Sequence, residues 1–259
     1  MAEVAAATFQ ELHALLRDRY YTMQRGAWVF RGHSRADYAL IPSVGRVSHT
    51  SRSYDKLEAS LLAMFERGAL IHLRTQPRNK WEWLALAQHH GLPTRLLDWT
   101  FNPLVALYFA VEENHETDAV LFALQAGKKM SETFIETCDP LGIDMPMKYL
   151  PTAQTPRIVA QEGLFTVQPH VAVPLSEQLR PDWRLDRITI SARSKADFLY
   201  QLFRQGVHRA SLFPDIDGLA SHIRWQHTVR PFDDDAEPAH APEPAAWPVS
   251  SRESSRPAR

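Results

Sequence analysis

The segment WEWLALAQHHGLPTRLLDWTFNPLVALYFAV, residues 81–111, decides the fold of this chain because signals that start and stop regular structure follow one another closely within it. Asn79 immediately upstream predicts the N-cap of a first helix, with Glu82 as its capping-box partner. Gly91 predicts the end of that helix, because glycine readily adopts the left-handed conformation of a helix stop. Asn102 with Pro103 predicts the N-cap and first turn of a second, very apolar helix.

The residues between these helices, LLDWT at 96–100, are too few for a helix and are typical of a short strand. The expected order is therefore helix, loop, strand, helix. Thr94, Arg95 and Asp98 stand beside apolar residues here, and a buried charge without a partner costs several kcal/mol or shifts its pKa. We therefore expect these polar groups to have specific partners.

The composition is that of an ordinary globular chain, with 44% hydrophobic and 23% charged residues among 259. A formal net charge of −1 provides no general electrostatic attraction to nucleic acid or to an anionic membrane. The longest apolar run, residues 104–111, is far shorter than the roughly 20 residues that span a bilayer. The single cysteine, Cys138, and the lack of zinc-ligand spacing favour a reducing, cytoplasmic setting.

Outward from the central segment, periodicity and capping signals predict further elements. They comprise a first helix that follows Thr8, helices over 54–73 and 194–205, and a last helix up to Trp225. The predicted strands cover 28–32, 119–124, 157–167 and 187–191. Residues 127–156 are an irregular insertion. Residues 231–259 are rich in proline, alanine, serine and acidic residues, so we expect one domain over 1–230 and a disordered acidic tail.

Three motifs of this sequence resemble the FRG-domain family, which is named for a Phe-Arg-Gly motif. They are Phe30-Arg31-Gly32, the run GLPTRLLDWT at 91–100 with Asn102-Pro103, and QEGLFT at 161–166. The resemblance extends from about Trp28 to the LFPD segment at 212–215. The family is mostly a sequence definition found in bacterial and phage-associated proteins, so it implies little about activity.

The order of motifs also resembles one branch of the ADP-ribosyltransferases. In that branch an Arg-Gly pair ends the first strand, a Ser-Thr-Ser strand leads into a helix, and a later strand carries a catalytic glutamate. Arg31-Gly32 corresponds to the first motif, and Asp98-Trp99-Thr100 stands where the second would be. Gln161 or Glu162 stands near the third.

This second resemblance implies an NAD site. Its expected cofactor-binding residues are Arg31, Gly32, Thr94, Asp98, Thr100 and Phe165, and its expected catalytic residues are Gln161, Glu162 and His90, with no metal. Arg31 would clamp phosphate, because the planar donor fork of arginine suits it. Gln161 and Glu162 are adjacent on the predicted strand 157–167, so only one of them can face the pocket, and motif position favours Gln161.

Each assignment has a structural alternative. Arg31 and Asp98 can form a buried structural pair, and His89 and His90 suit the last turn of a helix because of its dipole. Thr94 and Arg95 can satisfy loop backbone groups, and Trp99 and Phe165 can be core aromatics. A hydrolase would need a nucleophile or metal motif, and the sequence has neither GxSxG nor HExxH.

We therefore expect an α+β fold with a split, mostly antiparallel β core flanked by helices, similar to the ADP-ribosyltransferases. The first functional hypothesis is an enzyme that binds NAD or a related nucleotide and transfers its ADP-ribose to a protein or nucleic acid, or hydrolyses it, as a toxin or anti-phage effector. The second is a non-catalytic module that binds a nucleotide, a protein or a nucleic acid. A carboxylate near Arg31 would favour the first hypothesis, because the transition state of such transfer is positively charged.

Overall fold

The computed structural model describes residues 2–21, 27–50, 53–127, 129–152 and 155–228. The chain divides into two units, residues 1–222 and residues 223–259, and only 223–228 of the second are described. The expected domain boundary after residue 230 and the expected disordered tail, 231–259, lie outside the described residues. None of the described helices has the length and apolar character needed to cross a membrane.

The described residues contain seven strands and nine α-helices. The strands are β1 (Glu3–Ala6), β2 (Trp28–His33), β3 (Leu96–Thr100), β4 (Ala119–Gln125), β5 (Met147–Tyr149), β6 (Gly163–Val167) and β7 (Arg184–Ile190). The helices are α1 (Phe9–Arg19), α2 (Tyr54–Ala69), α3 (Lys80–His89), α4 (Pro103–Val111), α5 (Glu132–Thr137), α6 (Pro156–Ala160), α7 (Lys195–Arg204), α8 (Arg209–Leu212) and α9 (Ile216–Thr228).

All seven strands form one sheet in the order β1-β7-β4-β2-β3-β6-β5. Only the β1–β7 pair is parallel, and the other five neighbouring pairs are antiparallel. The expected α+β class and mostly antiparallel sheet are therefore confirmed.

The centre of the sheet is a narrow junction between β2 and β3. The two strands share a single residue pair, Phe30 with Thr100, whereas β2 pairs with β4 through six positions and β3 with β6 through five. In place of the expected split core, the structure has one continuous sheet that is weakly paired at its middle.

The central segment forms helix, loop, strand and helix, as its capping signals predict. The side chain of Asn79 accepts a hydrogen bond from the backbone amide of Glu82 at 2.9 Å, and Gly91 has φ +83° after α3. Asn102 accepts from the amide of Leu104 at 3.0 Å and begins α4. Local side-chain acceptors and one left-handed glycine therefore fix both helix boundaries here.

Helix α4 lies directly against β2 at Gly32. A Cβ atom at this position would be 1.9 Å from the carbonyl oxygen of Ala106 and 2.6 Å from the amide nitrogen of Ala110. Only glycine permits this approach, which brings α4 over the residues next to the β2–β3 junction.

A buried ion pair attaches α2 to the start of β3. The Nε of Arg95 donates to Glu58 at 2.7 Å, and its Nη2 donates to Asp55 at 2.6 Å. Glu58 also accepts from the backbone amide of Arg95 at 2.6 Å, and the side chains of Arg95 and Glu58 are each 1% exposed. Arg95 therefore has a structural role.

Two sequence predictions are wrong or incomplete. Residues 157–167 are not one strand, because Thr155 caps the short helix α6 and β6 begins only at Gly163. Strand β1, near the N-terminus, was not predicted, and the irregular insertion at 127–156 contains α5 and β5.

Candidate functional site

A cavity of about 470 Å³ opens at the β2–β3 junction. It is bordered by β2 and β3, by α4 and by the segment that joins α6 to β6. Of the residues expected from sequence to bind or react, those that line this cavity are Arg31, Gly32, Asp98, Thr100, Gln161 and Phe165. Its volume lies within the roughly 300–1,000 Å³ usual for small-molecule sites.

Arg31 reaches across the junction from β2 to β3. Its Nη1 donates to the carbonyl oxygen of Asp98 at 2.7 Å and lies 3.6 Å from the Asp98 carboxylate, while its Nε donates to His33 at 2.9 Å. The Arg31 side chain is 18% exposed and that of Asp98 is 60% exposed. Burial lowers the pKa of the Arg31 guanidinium, and the Asp98 carboxylate opposes that effect.

His33 keeps Arg31 in place as a neutral imidazole. Its Nε2 accepts from Arg31, so its Nδ1 carries the proton and donates to the carbonyl oxygen of Tyr38 at 3.2 Å. Burial and the adjacent Arg31 charge lower the pKa of His33 to about 3. A protonated ring would have no acceptor for Arg31, so the geometry and the pKa agree.

Asp98 is oriented by a short relay of side chains. The Nε2 of Gln88 donates to the Asp98 carboxylate at 3.0 Å, and the Oε1 of Gln88 accepts from the hydroxyl of Thr94 at 2.6 Å. Thr94 is fully buried, and its hydroxyl also accepts from the amide of Leu96 at 3.2 Å. Thr94, which was expected to bind a cofactor, therefore lies outside the cavity and acts on it through Gln88.

Gln161 and Glu162 lie on opposite sides of the sheet, but in a turn and not on a strand. Gln161 lines the cavity, and its amide donates to the carbonyl oxygen of Leu212 at 3.1 Å. Glu162 has φ +47° and lines a second cavity of about 1,160 Å³. Its carboxylate accepts from the Asn102 side chain at 3.2 Å. The two side chains lie on opposite sides because Glu162, between α6 and β6, has a left-handed backbone, and not because of strand alternation.

Of the two adjacent histidines, the structure brings His89 to the cavity. His90, the one expected to be catalytic, is exposed and packs near Phe65, with ring centroids 6.5 Å apart. Burial lowers the pKa of His89, and nearby His90 and Arg157 lower it further, while Asp98 opposes them.

Two further expected residues are largely engaged in the core. Thr100 is 5% exposed, and its hydroxyl accepts from the amide of Asn102 at 3.0 Å. Phe165 is 4% exposed and stacks against Tyr149, with centroids 6.1 Å apart. Each contributes part of the cavity wall while serving the packing.

Sequence reasoning missed Arg157, a residue of α6 that lines the cavity. It lies 4.4 Å from the ring centre of Phe213, over which Arg209 also lies at 4.2 Å. Arg157 has no hydrogen bond or ion pair within the described part of the chain, whereas Arg209 donates to Glu112 at 3.0 Å. The Thr-Pro pair before Arg157 was the available signal, since it starts a helix just as Asn102-Pro103 does.

The described residues gather no group of three His, Cys, Asp or Glu side chains suited to a metal ion. The ionic groups on the cavity wall are instead the guanidinium groups of Arg31, Arg46 and Arg157 and the carboxylates of Asp98, Glu112 and Glu113. Such a wall suits a ligand that carries phosphate and hydroxyl groups, because guanidinium binds phosphate and carboxylate accepts from hydroxyl.

Fold and cavity together define an α+β protein with an arginine-rich polar site at the weakly paired β2–β3 junction of its sheet. Residues 26–119 match the family model described as FRG domain. This match is shorter than the expected extent and includes Arg31, Gly32 and Asp98 but neither Gln161 nor Phe165. Searches of curated proteins and of solved structures found no match.

Proposed function

We propose that the cavity binds NAD or a closely related nucleotide and breaks the bond between its nicotinamide and ribose, as an ADP-ribosyltransferase-like fold would. The observation that carries this proposal is the Asp98 carboxylate, 60% exposed, oriented by Gln88 and 3.6 Å from the Arg31 guanidinium in one cavity. A carboxylate beside a phosphate-binding arginine is the feature that distinguishes catalysis from simple binding.

Binding of the phosphates is supported by the unused donors of two arginines. The Nε and one Nη1 donor of Arg31 are engaged by His33 and Asp98, which leaves its Nη2 group for a ligand. The Arg157 guanidinium is held by stacking on Phe213 alone, so all of its N–H donors are available. Two guanidinium groups fixed at separate points suit a diphosphate better than a single phosphate.

Cleavage is supported by the Asp98 carboxylate, which lies 3.6 Å from the Arg31 guanidinium and also acts electrostatically on Arg157. When the nicotinamide leaves, positive charge develops on the ribose, and a fixed carboxylate stabilises this charge more than it stabilises the ground state. The same carboxylate can orient a ribose hydroxyl by accepting its hydrogen bond. ADP-ribose then passes to water in the hydrolase form of the proposal, or to a protein or nucleic acid in the transferase form.

Gln161 favours a second candidate function, a nucleotide-binding module without catalysis. The resemblance to ADP-ribosyltransferases expects a glutamate near this position, yet the side chain in the cavity is an amide that is tied to Leu212. A neutral amide can bind a hydroxyl but provides no negative charge opposite a cationic transition state.

The test is NAD binding by titration calorimetry together with nicotinamide release, for wild type and three variants. Asp98→Asn should retain binding and lose turnover, whereas Glu162→Gln is the matched carboxylate control on the other cavity and should match wild type. A Gln161→Glu variant should raise turnover if the cavity is short of negative charge. Binding without release in every protein would support the non-catalytic module, and no binding to wild type would refute both candidates.

A further inference from the structure

His89 is the last residue of α3 and lies at the cavity beside the relay that orients Asp98. Its ring is half-buried, and neither of its nitrogens makes a hydrogen bond within the described part of the chain. By contrast, His33 on the same cavity wall has both ring nitrogens engaged. His89 is therefore a cavity imidazole whose nitrogens are available to a bound molecule.

The charges around His89 come from three elements: His90 follows it in the chain after α3, Arg157 lies on α6, and Asp98 lies on β3. Burial, His90 and Arg157 hold the pKa of His89 below its ordinary 6.5, against the opposing effect of Asp98. At neutral pH the imidazole is thus mostly unprotonated and can accept a proton.

We infer that His89 is the general base that activates the group which receives ADP-ribose, an inference that rests on the proposed function. In this step the oxygen of an O–H nucleophile forms a bond to the ribose carbon C1′, and the bond from C1′ to the nicotinamide nitrogen breaks. Nicotinamide leaves with the bonding electron pair as a neutral molecule. The proton of the nucleophile passes to a ring nitrogen of His89, and the resulting imidazolium lies near the Asp98 carboxylate.

The cavity also limits the chemical class of the acceptor. A neutral hydroxyl needs a base because it is a weak nucleophile until its proton is removed. A guanidinium acceptor stays protonated in proteins, and an imidazole is too weak a base to remove its proton, so His89 could not activate it. The acceptor is therefore an uncharged O–H group, either water or an alcohol.

The experiment compares full-length wild type, His89→Gln and His90→Gln in single-turnover nicotinamide release, with NAD affinity measured separately. His89→Gln should slow release by about 10²–10⁴-fold, the usual contribution of a general base, while the Kd for NAD is unchanged. His90→Gln is the matched control, and its maximal rate should equal that of wild type. Because His90 lowers the pKa of His89, removing it should also move the acid side of the rate–pH profile to higher pH.

Chemical rescue by imidazole distinguishes a general-base role of His89 from a merely structural one. The smaller His89→Ala variant leaves space in the half-buried site, so added imidazole should restore part of its release rate without changing NAD affinity. Circular dichroism of each variant checks that the fold is retained. Rescue that fails in a folded variant would contradict the general-base role.

The acceptor class is tested with methanol and with a soluble guanidine compound in the same reactions. Methanol should divert part of the product from ADP-ribose to its methyl glycoside, and the guanidine compound should yield no adduct. A guanidine adduct would overturn the acceptor class. Release from His89→Gln at the wild-type rate would overturn the role of His89 and leave the proposed function intact, whereas wild type without release overturns both.

Discussion

Replacing Gly32 by alanine should destabilise the protein strongly, because the added methyl group has no space. Its Cβ would lie 1.9 Å from the Ala106 carbonyl oxygen, about 1.5 Å short of the 3.4 Å at which ordinary contact begins. The obstructing atoms belong to the backbone of α4, so no side-chain rotation relieves the clash. The helix must move away from β2 by roughly this distance.

The loss of unfolding free energy depends on the packing contacts that this displacement of α4 breaks. Seven residues of α4 are buried against the rest of the domain. A gap of about 0.5–1 Å already loses a quarter to a half of the dispersion energy of each contact across it. Inserting a methylene into a core that can adjust costs about 1–3 kcal/mol, and here the rigid backbone places the expected loss at about 3 kcal/mol or more.

Denaturant unfolding of the Gly32→Ala variant measures this loss as a lower midpoint at an unchanged slope. The matched control is Gly68→Ala in α2, where a Cβ atom would meet nothing within 4 Å. That change should stabilise the protein by about 0.5 kcal/mol, since alanine is the better helix residue. Equal stabilities for the Gly32 variant and wild type would refute the close approach of α4 to β2.

Three further predictions concern charged groups. Arg95→Met should lower the unfolding free energy by about 3–5 kcal/mol, because it leaves the Glu58 carboxylate buried without its partner. A second substitution, Glu58→Leu, should recover part of this loss. A double variant less stable than Arg95→Met alone would contradict the prediction. Arg31→Ala should lower the unfolding free energy by only about 1–3 kcal/mol for two lost hydrogen bonds, since the Asp98 carboxylate remains hydrated. The same variant should lose nucleotide binding in calorimetry. A variant with unchanged stability and unchanged binding would exclude both roles of Arg31. NMR spectra should show His33 neutral, with its proton on Nδ1, well below pH 6.5. Because folding lowers the pKa of His33 to about 3, its contribution to stability should be lost as the pH falls from 6.5 towards 3. Titration of His33 near pH 6.5 would contradict the hydrogen bond from Arg31.

The sequence predicted those parts of the fold whose causes are local. Asn79, Gly91 and Asn102 act on backbone groups within four residues of themselves, so their meaning can be understood without the rest of the molecule. The same rule applied to Thr155 and Pro156 would have predicted α6. The β-branched Ile158 and Val159 favour a strand, but the capping signal of Thr155 and Pro156 outweighs this preference.

The parts that could not be predicted depend on distant residues. Strand β1 exists because it pairs with β7, more than 180 positions later, and its four residues show little strand periodicity. Arg31, Gly32 and Asp98 were placed at a common site because a family motif joined them. How α6 packs on the sheet decides whether Arg157 reaches the cavity, and how α3 packs decides which of His89 and His90 does. Periodicity over such short segments does not determine this packing.

The single residue pair between β2 and β3 has a consequence for the way the molecule opens. The strands β1, β7, β4 and β2 are held together by continuous ladders, as are β3, β6 and β5, but few backbone hydrogen bonds join the two groups. Each group can therefore open as a separate cooperative block in hydrogen exchange. A ligand that binds Arg31 on one block and Asp98 on the other would join the blocks, so its binding would appear as slower exchange of amides in both strands, far beyond the atoms it touches.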